Sequence, residues 1–138
     1  MGPEEKGVPV RKKKYEELEL EDGTIVRYRR HENGGGMVAM RAVVDPSARI
    51  EENAWVDQDA TVGADARLGA SCWVEPGARI GAGAYLATAV RVGPGALVGE
   101  RARIGSRSHI GAGARVRHGA VISPDAEIQA AVHDSRAA

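Results

Sequence analysis

Phenylalanine is absent from the 138 residues, and only two tryptophans and three tyrosines supply aromatic rings. Any interior must therefore be filled by aliphatic side chains. Cys72 is the one cysteine, which excludes an internal disulfide and speaks against a cysteine-ligated metal; no metal site is expected. Nineteen basic and nineteen acidic side chains cancel. No overall field then draws the protein to nucleic acid or an anionic membrane, and neither is expected as a partner. No apolar run approaches the ~20 residues of a membrane-spanning helix. The opening MGPEEKGVPVRKKK lacks the apolar centre of a secretory signal, and Lys6 stands where a myristoylation pattern needs Ser or Thr. The expectation is a single soluble domain that is not exported through a signal peptide and resides in the cytoplasm.

What the chain does have is a period of six. From Val44, every sixth residue through Ile50, Val56, Val62 and so on to Ile128 is Val, Ile or Leu, fifteen positions in all. Two residues before each, twelve of the fifteen are Ala; the exceptions are Cys72, Val90 and Ser108. Residues two apart share one side of a strand, so each hexad reads as a short strand with one large and one small inward residue. Counting the aliphatic residue as position zero, position plus three is often Gly, Asn or Asp, and every Pro of this region sits at plus two. That is corner chemistry. Strands joined by regular corners form stacked coils.

This pattern resembles the hexapeptide-repeat family. The resemblance covers about residues 41–128 and implies an all-β fold, a left-handed parallel β-helix solenoid with three hexads per turn. Fifteen hexads give about five coils of eighteen residues. The rest of the chain divides into a basic flexible tail (1–14), an N-terminal β-hairpin and Gly-rich linker (15–40) and a C-terminal tail (129–138) that either adds one helical turn or frays. Leu18 and Leu20 alternate with acids, Asp22-Gly23 offers a turn, and Ile25, Val26 and Tyr28 return. The hairpin is expected to pack on the first coil or on a neighbouring subunit. The run RKKK at 11–14 reads first as a solvated charge cluster, with binding to phosphate or an acidic surface as the alternative.

Hexapeptide proteins include many acyltransferases. The resemblance implies a homotrimer with acyl-CoA lying between neighbouring prisms and a histidine as general base. His109, between Ser108 and Ile110, points outward from a strand and is the best candidate for that base. His118 falls at a corner, His31 precedes the glycine run, and His133 lies in the tail. No His-x4-His occurs, which argues against the zinc site of the gamma-class carbonic anhydrases that share the fold. The glycines follow no phosphate-loop motif.

One face differs from the others. Its outward column reads Trp55, Trp73, Arg91, His109, Glu127, and its inward column holds the three departures from alanine. Arg91 is placed to lie over Trp73 as a cation–π contact, and exposed tryptophans mark an interface. Trp55, Trp73, Arg91 and His109 are therefore the expected contact with the next subunit of a trimer. Residues 41–86 carry seven acids and four arginines, residues 87–128 three acids and six arginines. Because no hexad is interrupted by a catalytic loop, the leading expectation is a non-catalytic structural or interaction protein without a cofactor. It would be a rigid trimeric prism docked on a larger assembly through its N-terminal segment, and a phage-encoded member would be a virion decoration protein. The alternative is a minimal acyltransferase using acyl-CoA with His109 as base.

Overall fold

The computed structural model describes residues 16–129 and 132–133. The RKKK run and most of the C-terminal tail lie outside the described residues. Strands are numbered in chain order. After β1 (Glu16–Glu19) and β2 (Ile25–Arg30) come short strands on three sheets of a prism. The first sheet stacks β3 (Met37–Ala39), β6 (Trp55–Val56), β9 (Trp73–Val74), β12 (Arg91–Val92), β15 (His109–Ile110) and β18 (Glu127–Ile128). The second stacks β4 (Val43–Val44), β7 (Thr61–Val62), β10 (Arg79–Ile80), β13 (Leu97–Val98), β16 (Arg115–Val116) and β19 (Val132–His133). The third stacks β5 (Arg49–Ile50), β8 (Arg67–Leu68), β11 (Tyr85–Leu86), β14 (Arg103–Ile104) and β17 (Val121–Ile122). Neighbours within these stacks are parallel and eighteen residues apart, except that β19 comes one residue early, with Val132 opposite Arg115. That last pair is a strand where a helical turn was one expectation.

Each coil hydrogen-bonds to the next along its strands. Trp73 N–H, for example, donates to Val90 O at 2.9 Å and Arg91 N–H to Ser108 O at 3.0 Å. The large and small inward residues are buried throughout from Ala42 to Ile122. Burying one Val, Leu or Ile is worth about 1.5–3 kcal/mol, so the aliphatic column carries the stability while alanine leaves it room.

Position plus three has a positive φ at every corner from Asn53 to Asp125. Glycine, Asn and Asp take this conformation readily, but Ser71, Ala89, Arg101 and Arg107 also hold it, with φ between 59 and 65°. Such residues are strained there by roughly 1–2 kcal/mol. Ala89→Gly should accordingly raise stability by about 0.5–1 kcal/mol, after the entropic cost of glycine, seen as a higher urea midpoint at unchanged slope.

At the base, the parallel ladder starts at β3, one hexad before Val44, with Val38 in the large inward position. β2 runs antiparallel to β3, and β1 to β2, so the hairpin extends the first sheet. The run HENGGG closes the prism beneath β5. Gly36 N–H donates to Ile50 O at 2.8 Å and Ile50 N–H to Asn33 O at 2.9 Å. Gly34 makes this approach possible, because a Cβ there would lie 2.3 Å from Ile50 O. His31 is buried in the same cap, its Nε2 donating to Ala48 O at 2.8 Å.

Candidate active site

The first sheet sets Trp55, Trp73, Arg91, His109 and Glu127 above one another in register. Two positions further along each hexad runs a second column, Asp57, Glu75, Gly93, Gly111. The two columns interact on a diagonal. Trp73 Nε1–H donates to Asp57 Oδ2 at 2.6 Å, one coil below, and Arg91 Nε–H donates to Glu75 Oε2 at 2.6 Å, again one coil below. Glu75 is buried, and its hydrogen bond holds the Arg91 guanidinium above its ordinary value. Arg91 also lies over the Trp73 ring, 4.6 Å from the centroid, as expected.

The diagonal then stops. The diagonal position one coil below His109, two residues after Arg91, is Gly93, which offers no side chain. A larger residue cannot stand there, since a Cβ on Gly93 would meet Ala112 N at 2.7 Å. Among the described residues the half-buried His109 ring has no hydrogen-bond partner. An imidazole in this setting keeps a nitrogen lone pair for a substrate proton. His118 differs, because its Nδ1 accepts the Glu100 N–H at 2.9 Å. With that lone pair engaged, Nε2 carries the proton of the neutral ring. His31 is part of the base cap, and His133 stands on β19 in register with Val116.

The lower end of the face is taken by the chain's own hairpin. Tyr28 meets Trp55 edge-on, with centroids 4.9 Å apart and planes at 80°, and its hydroxyl donates to Asp57 Oδ1. Burial first, and then the Asp57 bond, push the Tyr28 phenol well above its ordinary value. Trp55 is therefore half-buried by an intrachain contact, whereas Trp73 is 40% exposed.

Two of the three departures from inward alanine have a polar explanation. Cys72 Sγ donates to Ala87 O at 2.9 Å, and Ser108 Oγ donates to Ser123 O at 3.0 Å while accepting the Ala126 N–H at 3.2 Å. Both tie the small inward residue to the backbone of the next coil. Burial pushes the Cys72 thiol up to about 11, so it is no nucleophile at neutral pH. Nothing in the structure explains Val90 beyond its complete burial. Sequence reading missed Asp57, Glu75 and Tyr28. The carboxylates could have been found by reading the column two positions after the tryptophans.

The described residues include no group of three or more His, Cys, Asp or Glu able to hold a metal, and no helix long and apolar enough to cross a membrane. The profile of the GMPPB C-terminal domain matches residues 37–134. The chain belongs to that family. No curated protein matches it. Among solved structures it is similar to a histidine-to-asparagine variant of perosamine N-acetyltransferase from Caulobacter crescentus in complex with CoA and GDP-perosamine. The identity is 29% over 70% of this chain and 47% of that chain, at a TM-score of 0.68. A histidine-to-alanine variant of GDP-perosamine N-acetyltransferase from the same organism, with the same ligands, gives 30% identity, 71% and 50% coverage and a TM-score of 0.63. Serine acetyltransferase from Neisseria gonorrhoeae in complex with serine, at 24% identity, 63% and 39% coverage and a TM-score of 0.59, shares the fold. The chain spans about half the length of the perosamine enzymes.

The fold is thus the left-handed β-helix of hexapeptide-repeat acyltransferases. These likenesses overturn the leading functional expectation. The non-catalytic docking prism gives way to the acyltransferase alternative as the better-supported reading, because the similar structures are acetyltransferases in complex with CoA. Nothing in them supports a phage origin or a virion decoration role. An uninterrupted run of hexads does not argue against catalysis, since coil regularity reports on stacking and an outward side chain leaves it undisturbed.

Proposed function

We propose that this chain is an acetyltransferase module that moves the acetyl group of acetyl-CoA to the amine of a small acceptor, with His109 as general base. The carrying observation is the His109 ring, half-buried on the first sheet and unpartnered above Gly93, in a chain similar to CoA-bound N-acetyltransferases. His109 takes a proton from the acceptor amine as its nitrogen attacks the thioester carbonyl carbon. The carbon–sulfur bond breaks, an amide forms, and the departing CoA sulfur receives the proton. Six arginines against three acids in residues 87–128 favour the CoA phosphates at this end of the prism. A homotrimer supplies the cleft. Since Tyr28 covers Trp55, the contact with the next prism falls to the Arg91 and His109 level of the face.

Calorimetric titration of acetyl-CoA into the full chain should show saturable binding. Primary amines should then release CoA thiol, read with a thiol reagent to which the buried Cys72 contributes no background. No binding, or binding with no amine-dependent release across a panel of amines, would reject the reading.

A further inference from the structure

Between the hairpin and the lower wall of the first sheet lies a slot of about 670 Å³. Leu18, Leu20 and Val26 form the hairpin side, and Trp55, Trp73 and Pro76 the wall. Leu18 and Leu20 are exposed into it, so it is open to solvent. The surface is almost wholly apolar apart from one charged group, Asp57. The partners of its carboxylate are both neutral: the Tyr28 hydroxyl on one oxygen and the Trp73 indole N–H on the other. Its neighbour in the same column, Glu75, is answered by Arg91, but among the described residues no cation answers Asp57.

A carboxylate held in place by neutral donors, at an apolar slot walled by two indoles, is matched by one ligand chemistry. The negative charge attracts a cation, the indole surface left beside the Arg91 contact on Trp73 favours one that is poorly hydrated, and the apolar walls favour a hydrocarbon body. We infer that the slot binds an organic ammonium ion, with its charged head at Asp57 and its apolar body against Trp55, Trp73 and the hairpin leucines. The site is distinct from the candidate base. His109 stands three strands above Trp55, about 14 Å at ~4.8 Å per strand, so the inference does not depend on acyl transfer.

The chain is well suited to its own test, because its only two tryptophans both line the slot. Indole emission of the full chain is titrated with 2-phenylethylammonium, with 2-phenylethanol as the neutral analogue and 3-phenylpropionate as the anionic one. The expected result is a saturable change with the ammonium, at least about tenfold tighter than with the alcohol, and none with the carboxylate. Asp57→Asn should bring ammonium and alcohol within about twofold of each other. Because Asp57 also anchors Tyr28, a second variant guards against loss of the hairpin. Leu20→Lys alters an exposed position and supplies a cation from the chain itself, so it should abolish the ammonium response at unchanged melting temperature. The inference is overturned by no saturable response in the parent chain, or by equal affinity for ammonium and alcohol. It is equally overturned if the preference persists in Asp57→Asn, or if Leu20→Lys folds and binds the ammonium like the parent.

Discussion

His109→Ala is expected to slow acetyl transfer by about 10²–10⁴-fold, the usual contribution of a general base, while acetyl-CoA affinity stays within about twofold. The separation follows from where the ring sits. It makes no hydrogen bond among the described residues, and its strand is held by Ile110 in the core and by the backbone bond from His109 N to Ala126 O at 2.8 Å. Removing the imidazole therefore takes away a proton acceptor without loosening the coil. His118→Ala is the matched control. Its Nδ1 lone pair is engaged by the Glu100 N–H, so its loss should change the rate by no more than about threefold. Steady-state rates at saturating acetyl-CoA, with calorimetry for the binding step, decide the matter. A His109→Ala protein with full activity would move the base elsewhere, and equal losses in both variants would point to damage of the upper coils.

Much of the fold was legible because it obeys a geometric rule that repeats. A strand that buries Ile80 and Ala78 together must place Arg79 outward, and a chain that turns at Gly83 must turn again at Ala89 and at Gly95. Each hexad restates the rule, so chance cannot imitate fifteen of them. The Arg91 contact with Trp73 was legible for the same reason, as both residues lie in one column. What escaped was whatever depended on a single, non-repeating contact. Tyr28 reaches Asp57 across twenty-nine residues, and no period links them. HENGGG reads as a linker or a tight loop from composition, and only the structure shows that its glycines let Asn33 and Gly36 bond Ile50 at the base. The candidate site was half legible. His109 could be singled out as an outward histidine, but its freedom depends on Gly93, and that glycine looks like any other glycine that begins a corner. Cys72 and Ser108 stood out as irregularities, whereas their reason, a bond to a carbonyl of the next coil, appears only in three dimensions.

Glycine placement supplies the second large effect. Gly105→Ala should destabilise the protein by about 3 kcal/mol, the upper range for overpacking, whereas Gly113→Ala should cost only about 1 kcal/mol, the strain of a left-handed alanine. The two glycines do different things. A Cβ on Gly105 would lie 2.4 Å from Pro124 N, against rigid backbone of the coil above that has no side-chain freedom with which to yield. Gly113 has φ of 70° and open space around its missing Cβ, so only the conformation resists. In a stack of coils, stability is close to a sum of nearest-neighbour contacts. The Gly105 substitution should therefore loosen the upper end first. Amide exchange at Asp125, whose N–H donates to Ser106 O at 2.9 Å, should quicken before that at Gly63, bonded to Ile80 O at 2.8 Å near the base. Urea unfolding gives the two costs and hydrogen exchange the location. Equal costs would mean that corner strain alone decides where this sequence needs glycine. A threefold difference with loss confined to the upper coils would mean that the close approach of one coil to the next decides it for the glycines that begin a corner.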